Sequence, residues 1–279
     1  MMAKVITFGN FKGGTGKTTN SAMIGHELAR QGHKVLLIDL DPQANATALY
    51  LLTKQRIEDQ VVTFDKTLMS AIADENLEDI VLKIKENLYL LPSFADFTSY
   101  PLFLEKKFPN NQFDRVAYFS KLIDPLKNQF DFILIDVPPT LSSYTDSALY
   151  SSDYTIIVLQ THERSLVGAE AYVKYLQELI DNYHADFDIL GVLPVLLKNN
   201  AAVDISTLEN AKESFGEQNL FKTVVKNMER LKRYDLIGIV DSEIDTSADM
   251  HDKRVLNLYK NVTDELLERL RAKGGIENE

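Results

Sequence analysis

A glycine-rich segment near the start of the chain narrows the possible folds more than any other part of it. The segment is Lys12-Gly13-Gly14-Thr15-Gly16-Lys17-Thr18-Thr19, and it lies between an apolar run at residues 5–8 and an amphipathic stretch that begins at residue 21. Strand, glycine loop and helix in this order are typical of a phosphate-binding loop. Glycine supplies the positive φ angles with which Gly13, Gly14 and Gly16 can point several backbone N–H groups at one anion. An ordinary glycine turn is the alternative, but it leaves the Gly-Lys-Thr sequence unexplained.

The polar residues of this loop indicate which ligand it binds. Lys17 would reach the β- and γ-phosphates of ATP, and the Thr18 hydroxyl would ligate Mg²⁺, because a hard cation prefers oxygen ligands. The helix that follows presents the positive end of its dipole to the same anion. The expected nucleotide-binding residues of the loop are Gly13, Gly14, Thr15, Gly16, Lys17, Thr18 and Thr19.

The loop departs from the ordinary motif in its first residues. The common form, G-x-x-x-x-G-K-[ST], requires glycine at position 11, where this chain has Phe11, and a second lysine, Lys12, begins the loop instead. This deviant form resembles the family of partition and division-site ATPases that includes the ParA and MinD proteins. The resemblance implies that Lys12 reaches the second nucleotide of an ATP-dependent homodimer, where a cation supplied in trans would stabilise the charge of phosphoryl transfer.

Two further apolar runs end in aspartates. Asp39 and Asp41 follow the run at residues 35–38, and Asp136 follows the run at residues 132–135. Carboxylates at the C-terminal ends of parallel strands lie where ligands bind in open α/β sheets. From spacing alone, Asp39 and Asp41 could also be turn or helix-capping aspartates.

Both acidic segments resemble ParA sequences. Residues 39–47 match the stretch D-x-D-P-Q-x-N-A-T, and residues 136–139 match D-x-P-P. The resemblance implies that Asp41 orients the attacking water, that Asp39 supports the Mg²⁺ shell or the loop geometry, and that Asp136 holds Mg²⁺ through a water. The expected catalytic residues are Lys12, Lys17 and Asp41, and the expected metal-site residues are Thr18, Asp39 and Asp136.

Composition excludes several classes of site and of protein. The 279 residues include no cysteine, so disulfides, Fe–S clusters and cysteine-based zinc sites are impossible. No apolar run approaches the roughly 20 residues of a membrane span, and the first four residues lead straight into a strand with no signal-peptide core. We therefore expect a cytoplasmic protein. The net charge of −11 argues against broad electrostatic attachment to nucleic acid but leaves room for a local basic patch.

The alternation of apolar runs and helical patterns predicts the fold class. Strands are expected at residues 5–8, 35–38, 88–91, 132–135, 155–159 and 189–195, and helices at residues 21–31, 116–127, 166–182 and 203–215. Most of the strand runs are continuously apolar, as expected of strands buried on both faces. The order predicts an α/β fold, with a mostly parallel twisted sheet and helices on both faces, of the P-loop NTPase kind. No linker-like segment interrupts the chain, so residues 1–279 are expected to form one domain.

Contacts to adenine and to DNA are harder to place. The resemblance implies that adenine contacts come from loops after the late strands, here Asn199 and Asn227, whose amides offer donor and acceptor together; solvated turn residues are the alternative. Clustered cations suit phosphate contacts, although a solvated helix face is possible too. The expected DNA-binding residues are Lys226, Arg230, Lys232 and Arg233.

The stretch at residues 252–273 carries apolar residues at helical spacing and has two possible roles. MinD-type relatives end in a helix that binds the membrane surface. Here acidic and basic residues are balanced, so anionic lipid gains little and packing against the core is favoured. We therefore expect no membrane partner, although a MinD-like ATPase that cycles on the membrane and positions the division machinery stays the alternative.

The resemblance implies a ParA-type plasmid partition ATPase of the short form, with no DNA-binding domain ahead of the loop. Such a protein dimerises with ATP, binds non-specific DNA of the nucleoid, and is released when a centromere-binding, ParB-like partner stimulates its weak ATP hydrolysis. A metal-cluster carrier on the same fold is excluded because the chain has no cysteine.

Overall fold

A computed structural model describes residues 2–58, 61–199 and 201–277. Within these residues, the strands are β1 (Lys4–Gly9), β2 (Val35–Asp39), β3 (Leu82–Lys85), β4 (Leu88–Leu91), β5 (Phe132–Asp136), β6 (Tyr154–Gln160) and β7 (Asp188–Val195). The α-helices are α1 (Lys17–Arg30), α2 (Asn45–Glu58), α3 (Leu68–Ala73), α4 (Tyr100–Lys107), α5 (Gln112–Lys127), α6 (Ser143–Tyr150), α7 (Glu163–Tyr183), α8 (Ala202–Phe215), α9 (Glu229–Ile237) and α10 (Met250–Ala272).

The strands form one seven-stranded sheet in the order β3-β4-β2-β5-β1-β6-β7. Its neighbours run parallel except for β3, which is antiparallel to β4. Alternate residues of one strand enter different cores: Ile6 packs with α1, α2, α9 and α10, whereas Val5 packs with α3 to α6. Helices therefore cover both faces, and the predicted mostly parallel α/β fold is confirmed.

The predicted strands all form, but β3 was not expected. Its four residues, Leu-Lys-Ile-Lys, alternate between apolar and charged, and the strand lies at the edge of the sheet. An edge strand with lysines is too short and too polar to show the continuous apolar run of the central strands. Five helices, α2, α3, α4, α6 and α9, were likewise not predicted.

The C-terminal helix packs against the core, as the charge balance predicts. Val255, Tyr259, Val262, Leu266 and Leu270 are fully buried on the side of α10 that faces α1 and the sheet. A large apolar face buried in this way is unavailable to a lipid surface. None of the helices in the described ranges has the length and apolarity that a bilayer crossing requires.

A buried charged cluster fixes the segment between α9 and α10. Asp241 lies 2.7 Å from the Lys85 ammonium and 3.4 Å from Nε of Arg30, and Nε2 of His26 is 3.5 Å from the same carboxylate. Burial lowers the pKa of His26 well below its usual value, and the nearby Lys85 charge adds to the effect. The cluster connects α1 and β3 to the loop that leads into α10.

Candidate nucleotide site

The glycine loop joins β1 to α1 and takes the conformation expected of an anion-binding turn. Gly14 and Gly16 have φ angles of +74° and +92°, and Gly16 is the N-cap of α1. Side chains are strained at such angles, so both positions require glycine. Gly13 was predicted to share this conformation, but it has no positive φ; a Cβ there would lie 3.8 Å from the side chain of Pro139.

Lys17 is buried at the base of the loop. Its ammonium donates hydrogen bonds to the backbone carbonyls of Asn10, at 3.1 Å, and Lys12, at 3.4 Å. Burial lowers its pKa, while the carboxylates of Asp136 and Asp41 act in the opposite direction. Among the described residues its hydrogen bonds go only to neutral carbonyls, which leaves the ammonium suited to an anion with several charged oxygens.

The first residues of the loop are braced by α7. Phe11 packs edge-on against Tyr172 and Tyr175, with ring centroids 5.0 and 5.3 Å away. Oδ1 of Asn10 accepts a hydrogen bond of 2.8 Å from the Lys12 backbone, and the buried Asn10 amide donates to the carbonyl of Val158. The backbone of Lys12 is thereby fixed, while its side chain is exposed to solvent.

Asp39 is fully buried at the end of β2, and its contacts assign it to the loop geometry. One carboxylate oxygen accepts a 3.1 Å hydrogen bond from the Asp41 backbone, and the other accepts two of 2.8 Å from the backbone and hydroxyl of Thr47. Burial raises its pKa to about 6. These hydrogen bonds favour the role in the loop geometry, since both oxygens hold the turn between β2 and α2; the role in the Mg²⁺ shell stays a prediction.

Asp41 lies in the wall of a cavity of about 580 Å³ that the glycine loop also lines. Its Oδ1 accepts a 2.9 Å hydrogen bond from the backbone of Gln43, and the side chain is mostly buried. Among the described residues, the other carboxylate oxygen accepts no hydrogen bond, so it is available to a ligand. An oriented carboxylate of this kind can position a water molecule for attack.

Asp136 ends β5, in register with Asp39 on β2. It is fully buried, and among the described residues neither of its carboxylate oxygens has a hydrogen-bond partner. Burial, followed by the charge of Asp39, raises its pKa to about 8, while Thr18 and Lys17 act to lower it. A buried carboxylate without partners is unfavourable on its own and would be compensated by a cation.

The oxygen donors here fit Mg²⁺. Asp136, at the end of β5, and the Thr18 hydroxyl, in the first turn of α1, supply hard oxygen ligands. In the described part of the chain, no group of three or more His, Cys, Asp or Glu side chains could hold a metal ion unaided. Phosphate oxygens and water would have to complete the shell, as is usual for Mg²⁺ at nucleotide sites.

Two cavities lie side by side at this end of the sheet. The larger has a volume of about 580 Å³; the smaller, of about 170 Å³, lies between α1, the end of β7 and α9. The larger is lined by Gly14, Thr15, Gly16, Lys17, Thr18, Thr19, Asp41, Gln43, Asn45, Ala48, Leu49, Val137, Pro139 and Asp235.

Of the two asparagines predicted for adenine, Asn199 holds the backbone of Asn227 with its side chain. Asn199 donates to the carbonyl of Asn227 and accepts from its N–H, both at 2.8 Å. The Asn227 amide also donates to the carbonyl of Leu197, at 2.6 Å. Asn227 lines the smaller cavity and Asn199 does not, so Asn199 positions the segment that carries Asn227.

The four cations predicted for DNA are on or next to α9 but differ in their surroundings. Arg230 pairs with Asp249 and lies 3.6 Å from Asp252, so its charge is balanced within the protein and a DNA contact is not supported. Lys226, Lys232 and Arg233 are exposed. Arg233 lines a surface groove of about 380 Å³ formed with Met228, Glu229, Arg230, His251 and Arg254.

Two residues of the site carry no signal that the sequence analysis used. Asn10 precedes the glycine motif, and its role depends on contacts with β6 and α7. Asp235 lines both cavities but belongs to α9, far from the loop in the sequence. An acidic residue in a basic segment offered no reason to place it at a nucleotide site.

Comparisons with known proteins agree with this geometry. The family model AAA_31, described as an AAA domain, matches residues 3–189. The sporulation initiation inhibitor protein Soj of Bacillus subtilis (strain 168) is 30% identical over 82% of this chain and 87% of its own length. The chromosome-partitioning ATPase Soj of Treponema pallidum (strain Nichols) is 26% identical over 88% of this chain and 92% of its own.

Solved structures share the fold. The apo form of McdA from Cyanothece has a TM-score of 0.78 at 23% identity and covers 96% of this chain and 99% of its own. A plasmid partition protein from Borrelia burgdorferi has a TM-score of 0.72 at 20% identity and covers 96% of this chain and all of its own. With its deviant loop, the sheet order around it and these relatives, the chain belongs to the ParA-type ATPases of the MinD/ParA superfamily.

Proposed function

We propose that this protein is a DNA partition ATPase that binds ATP, dimerises across two nucleotides and holds non-specific DNA until hydrolysis releases it. The observation that carries the proposal is the exposure of Lys12 beside a loop that already has a buried lysine, Lys17. One phosphate site needs only the buried cation. A second lysine with a braced backbone and an exposed side chain is suited to the nucleotide of another subunit.

The residues of the site have separate tasks in this reaction. Lys17 neutralises the β- and γ-phosphates, Asp41 orients the attacking water, and Lys12 stabilises the transition-state charge on the other subunit's nucleotide. Mg²⁺, held by Thr18 and through a water by Asp136, would neutralise the phosphate oxygens. Because Lys12 acts only in the dimer, a lone subunit has an incomplete site, and intrinsic hydrolysis is weak.

DNA contact falls to the exposed cations around α9. Lys226, Lys232 and Arg233 are available, and Arg254 and His251 adjoin Arg233 in the same groove. Lysine and arginine contacts to phosphates need no base sequence, so this binding is non-specific. The overall charge of −11 confines it to this patch.

The cellular role follows the family. We propose a single domain over residues 1–279, working in the cytoplasm at the nucleoid, with a centromere-binding ParB-like protein as the partner that stimulates hydrolysis. We propose plasmid segregation as the process that the protein serves. The MinD-like alternative is less favoured, because the apolar side of α10 is buried against the core and is not open to a lipid surface.

Retention of a random-sequence DNA fragment in the presence of ATP or ADP tests this function. We expect ATP-dependent, salt-sensitive binding, and a loss of several-fold in affinity when Arg233 is replaced by alanine; Lys232 is left in place because it also lines the smaller cavity. Replacement of Lys83 and Lys212, exposed lysines of β3 and α8 that pair with Glu86 and Glu217, is the matched control and should leave binding unchanged. ATP-dependent sedimentation with anionic vesicles, without DNA retention, would favour the division-site alternative.

A further inference from the structure

The two cavities of the nucleotide site share three residues. Gly16 and Thr19 come from the loop and the first turn of α1, and Asp235 comes from α9. The residues that differ define what each cavity suits. Lys17 and Asp41 line only the larger one, whereas Leu196, Asn227 and Tyr259 are among those that line only the smaller one.

The different linings of the two cavities indicate which way round a nucleotide would bind. Polyphosphate belongs with Lys17 and the loop N–H groups in the larger cavity. The smaller cavity combines apolar side chains such as Leu196 and Leu231 with polar ones such as Gln160 and Asn227, and so suits a flat base that carries hydrogen-bonding groups at its edge. A nucleotide that spans both has its ribose between them, where Gly16, Thr19 and Asp235 meet.

Asp235 is not explained by the needs of its own helix. It lies in the last turn of α9, where the negative end of the helix dipole disfavours a carboxylate. The Asp235 side chain is exposed at the border of the two cavities, and partial loss of water around its carboxylate raises its pKa. A negative charge near a polyphosphate cavity opposes anion binding, so a nucleotide that displaces water from this carboxylate would have to offer it hydrogen-bond donors.

We infer that Asp235 accepts hydrogen bonds from the 2′- and 3′-hydroxyl groups of the ATP ribose and makes the site selective for ribonucleotides. The inference rests on the proposed function, namely that the two cavities hold ATP. An ionised carboxylate accepts and never donates, and its two oxygens match two adjacent hydroxyls. A 2′-deoxynucleotide leaves one oxygen without its partner, which weakens binding.

Binding of ATP, 2′-deoxy-ATP and 3′-deoxy-ATP to the full chain with Mg²⁺, measured by titration calorimetry, tests the inference. We expect the parent to prefer ATP over either deoxynucleotide by about tenfold, the usual effect of one charge-assisted hydrogen bond. Asp235→Ala should weaken ATP binding by about the same factor, leave 2′-deoxy-ATP binding unchanged and so abolish the preference. Asp235→Asn, which keeps one acceptor, should be intermediate.

The control is Glu268→Ala, which removes an exposed carboxylate of α10 that lines neither cavity. This variant should keep the full preference for ATP. Equal affinities of the parent for ATP and 2′-deoxy-ATP, or a preference that persists in Asp235→Ala, would overturn the ribose assignment while leaving ATP binding intact. A parent that binds no nucleotide would instead overturn the proposed function, and the ribose assignment with it.

Discussion

Phe11 places the edge of its ring against Tyr172, with centroids 5.0 Å apart and ring planes at 80°. Tyr175 completes the contact and donates a hydrogen bond to Asp146, in the first turn of α6. The helix α6 directly follows the segment beyond Asp136. The aromatic residue that replaces a glycine of the ordinary motif therefore connects the start of the loop, through α7, to the other side of the site.

Phe11→Ala should loosen this connection and destabilise the protein by about 2 kcal/mol, less than for a fully buried phenylalanine. Because the ring fixes the backbone next to Lys12, ATP-dependent dimerisation should weaken more than ATP binding by the monomer. Urea unfolding and sedimentation velocity measure the two effects. Phe113→Ala removes a more exposed ring that packs on Tyr150, away from the loop. If this control weakens dimerisation as much, the special role of Phe11 is wrong.

The two lysines of the loop should fail in different ways. Lys17→Ala should abolish ATP binding, because the polyphosphate loses its main cation in a desolvated site. Lys12→Ala should keep monomer ATP binding but lose dimerisation and turnover, since its side chain is exposed in a single subunit. Calorimetry with ATP and size-exclusion chromatography separate the two defects. Unchanged nucleotide affinity in Lys17→Ala would refute the phosphate-loop assignment.

Asp41→Ala should bind ATP and accumulate the dimer, with hydrolysis slowed by about a hundredfold or more through loss of water orientation. Steady-state ATPase measurements and chromatography of the ATP-loaded protein check this. The control is Asn45→Ala, which changes a polar residue of the same cavity to which we assign no role in the chemistry. It should hydrolyse ATP at close to the parental rate. Turnover of Asp41→Ala at the parental rate would mean that the carboxylate only holds the Gln43 backbone.

Asp136 makes the free protein sensitive to pH. Its folded pKa, about 8, lies above the ordinary value of 3.8. Between those values the unfolded chain loses a proton that the folded chain keeps, so stability decreases as the pH rises from about 4 to 8. Asp136→Asn should therefore be more stable at pH 7, by an amount on the order of 2–4 kcal/mol, and this gain should vanish near pH 4.

Urea unfolding without nucleotide or Mg²⁺, from pH 4 to 8, measures this difference. The same variant should lose the Mg²⁺ dependence of ATP binding. Asp124→Asn, an exposed carboxylate of α5 that pairs with Lys127, should show no such pH-dependent gain. Equal pH profiles for the parent and Asp136→Asn would contradict the assignment of a protonated, buried carboxyl.

For His26 we expect the opposite dependence of stability on pH. Its folded pKa lies well below 6.5, so below pH 6.5 the unfolded chain takes up a proton that the folded chain refuses, and stability decreases as the pH falls. The His26→Gln variant should lose less stability than the parent as the pH falls. The difference in unfolding free energy between the two proteins should therefore shrink from pH 7 to pH 5. His251→Gln, at an exposed histidine of α10, is the control. Parallel curves for the parent and His26→Gln would contradict the prediction.

Long, strongly apolar elements were predictable from the sequence, and short or polar ones were not. The run at residues 88–91 coincides with β4 because a strand buried on both faces needs continuous apolar residues. The helix α9 was interpreted as a basic cluster, since only Leu231 and Tyr234 of its nine residues are buried. Its existence depends on packing against α2 and α10, which local sequence does not report.

The same contrast between features set by local sequence and features set by long-range packing applies to the residues of the site. Lys17 and Asp136 were predictable because their chemistry depends on neighbours in the sequence. The sequence leaves two roles open for Asp39, in the Mg²⁺ shell or in the loop geometry. The contact that favours the second role is with Thr47, which lies in α2 and comes close to Asp39 only in the folded chain. Asp235 could not be found, because its position depends on how α9 packs over the loop.

The hydrogen bond of 3.1 Å between Tyr259 of α10 and Asn20 of α1 joins residues 239 positions apart. The Asn20 amide in turn donates to the carbonyl of Gly16, within the phosphate loop. On a translating ribosome, α1 emerges early and keeps an apolar face uncovered until α10 has been synthesised. A nascent chain stalled before α10 would thus contain the complete glycine motif, but the helix α1 behind it would lack its packing partner. Such a chain would be bound by chaperones and would not bind nucleotide.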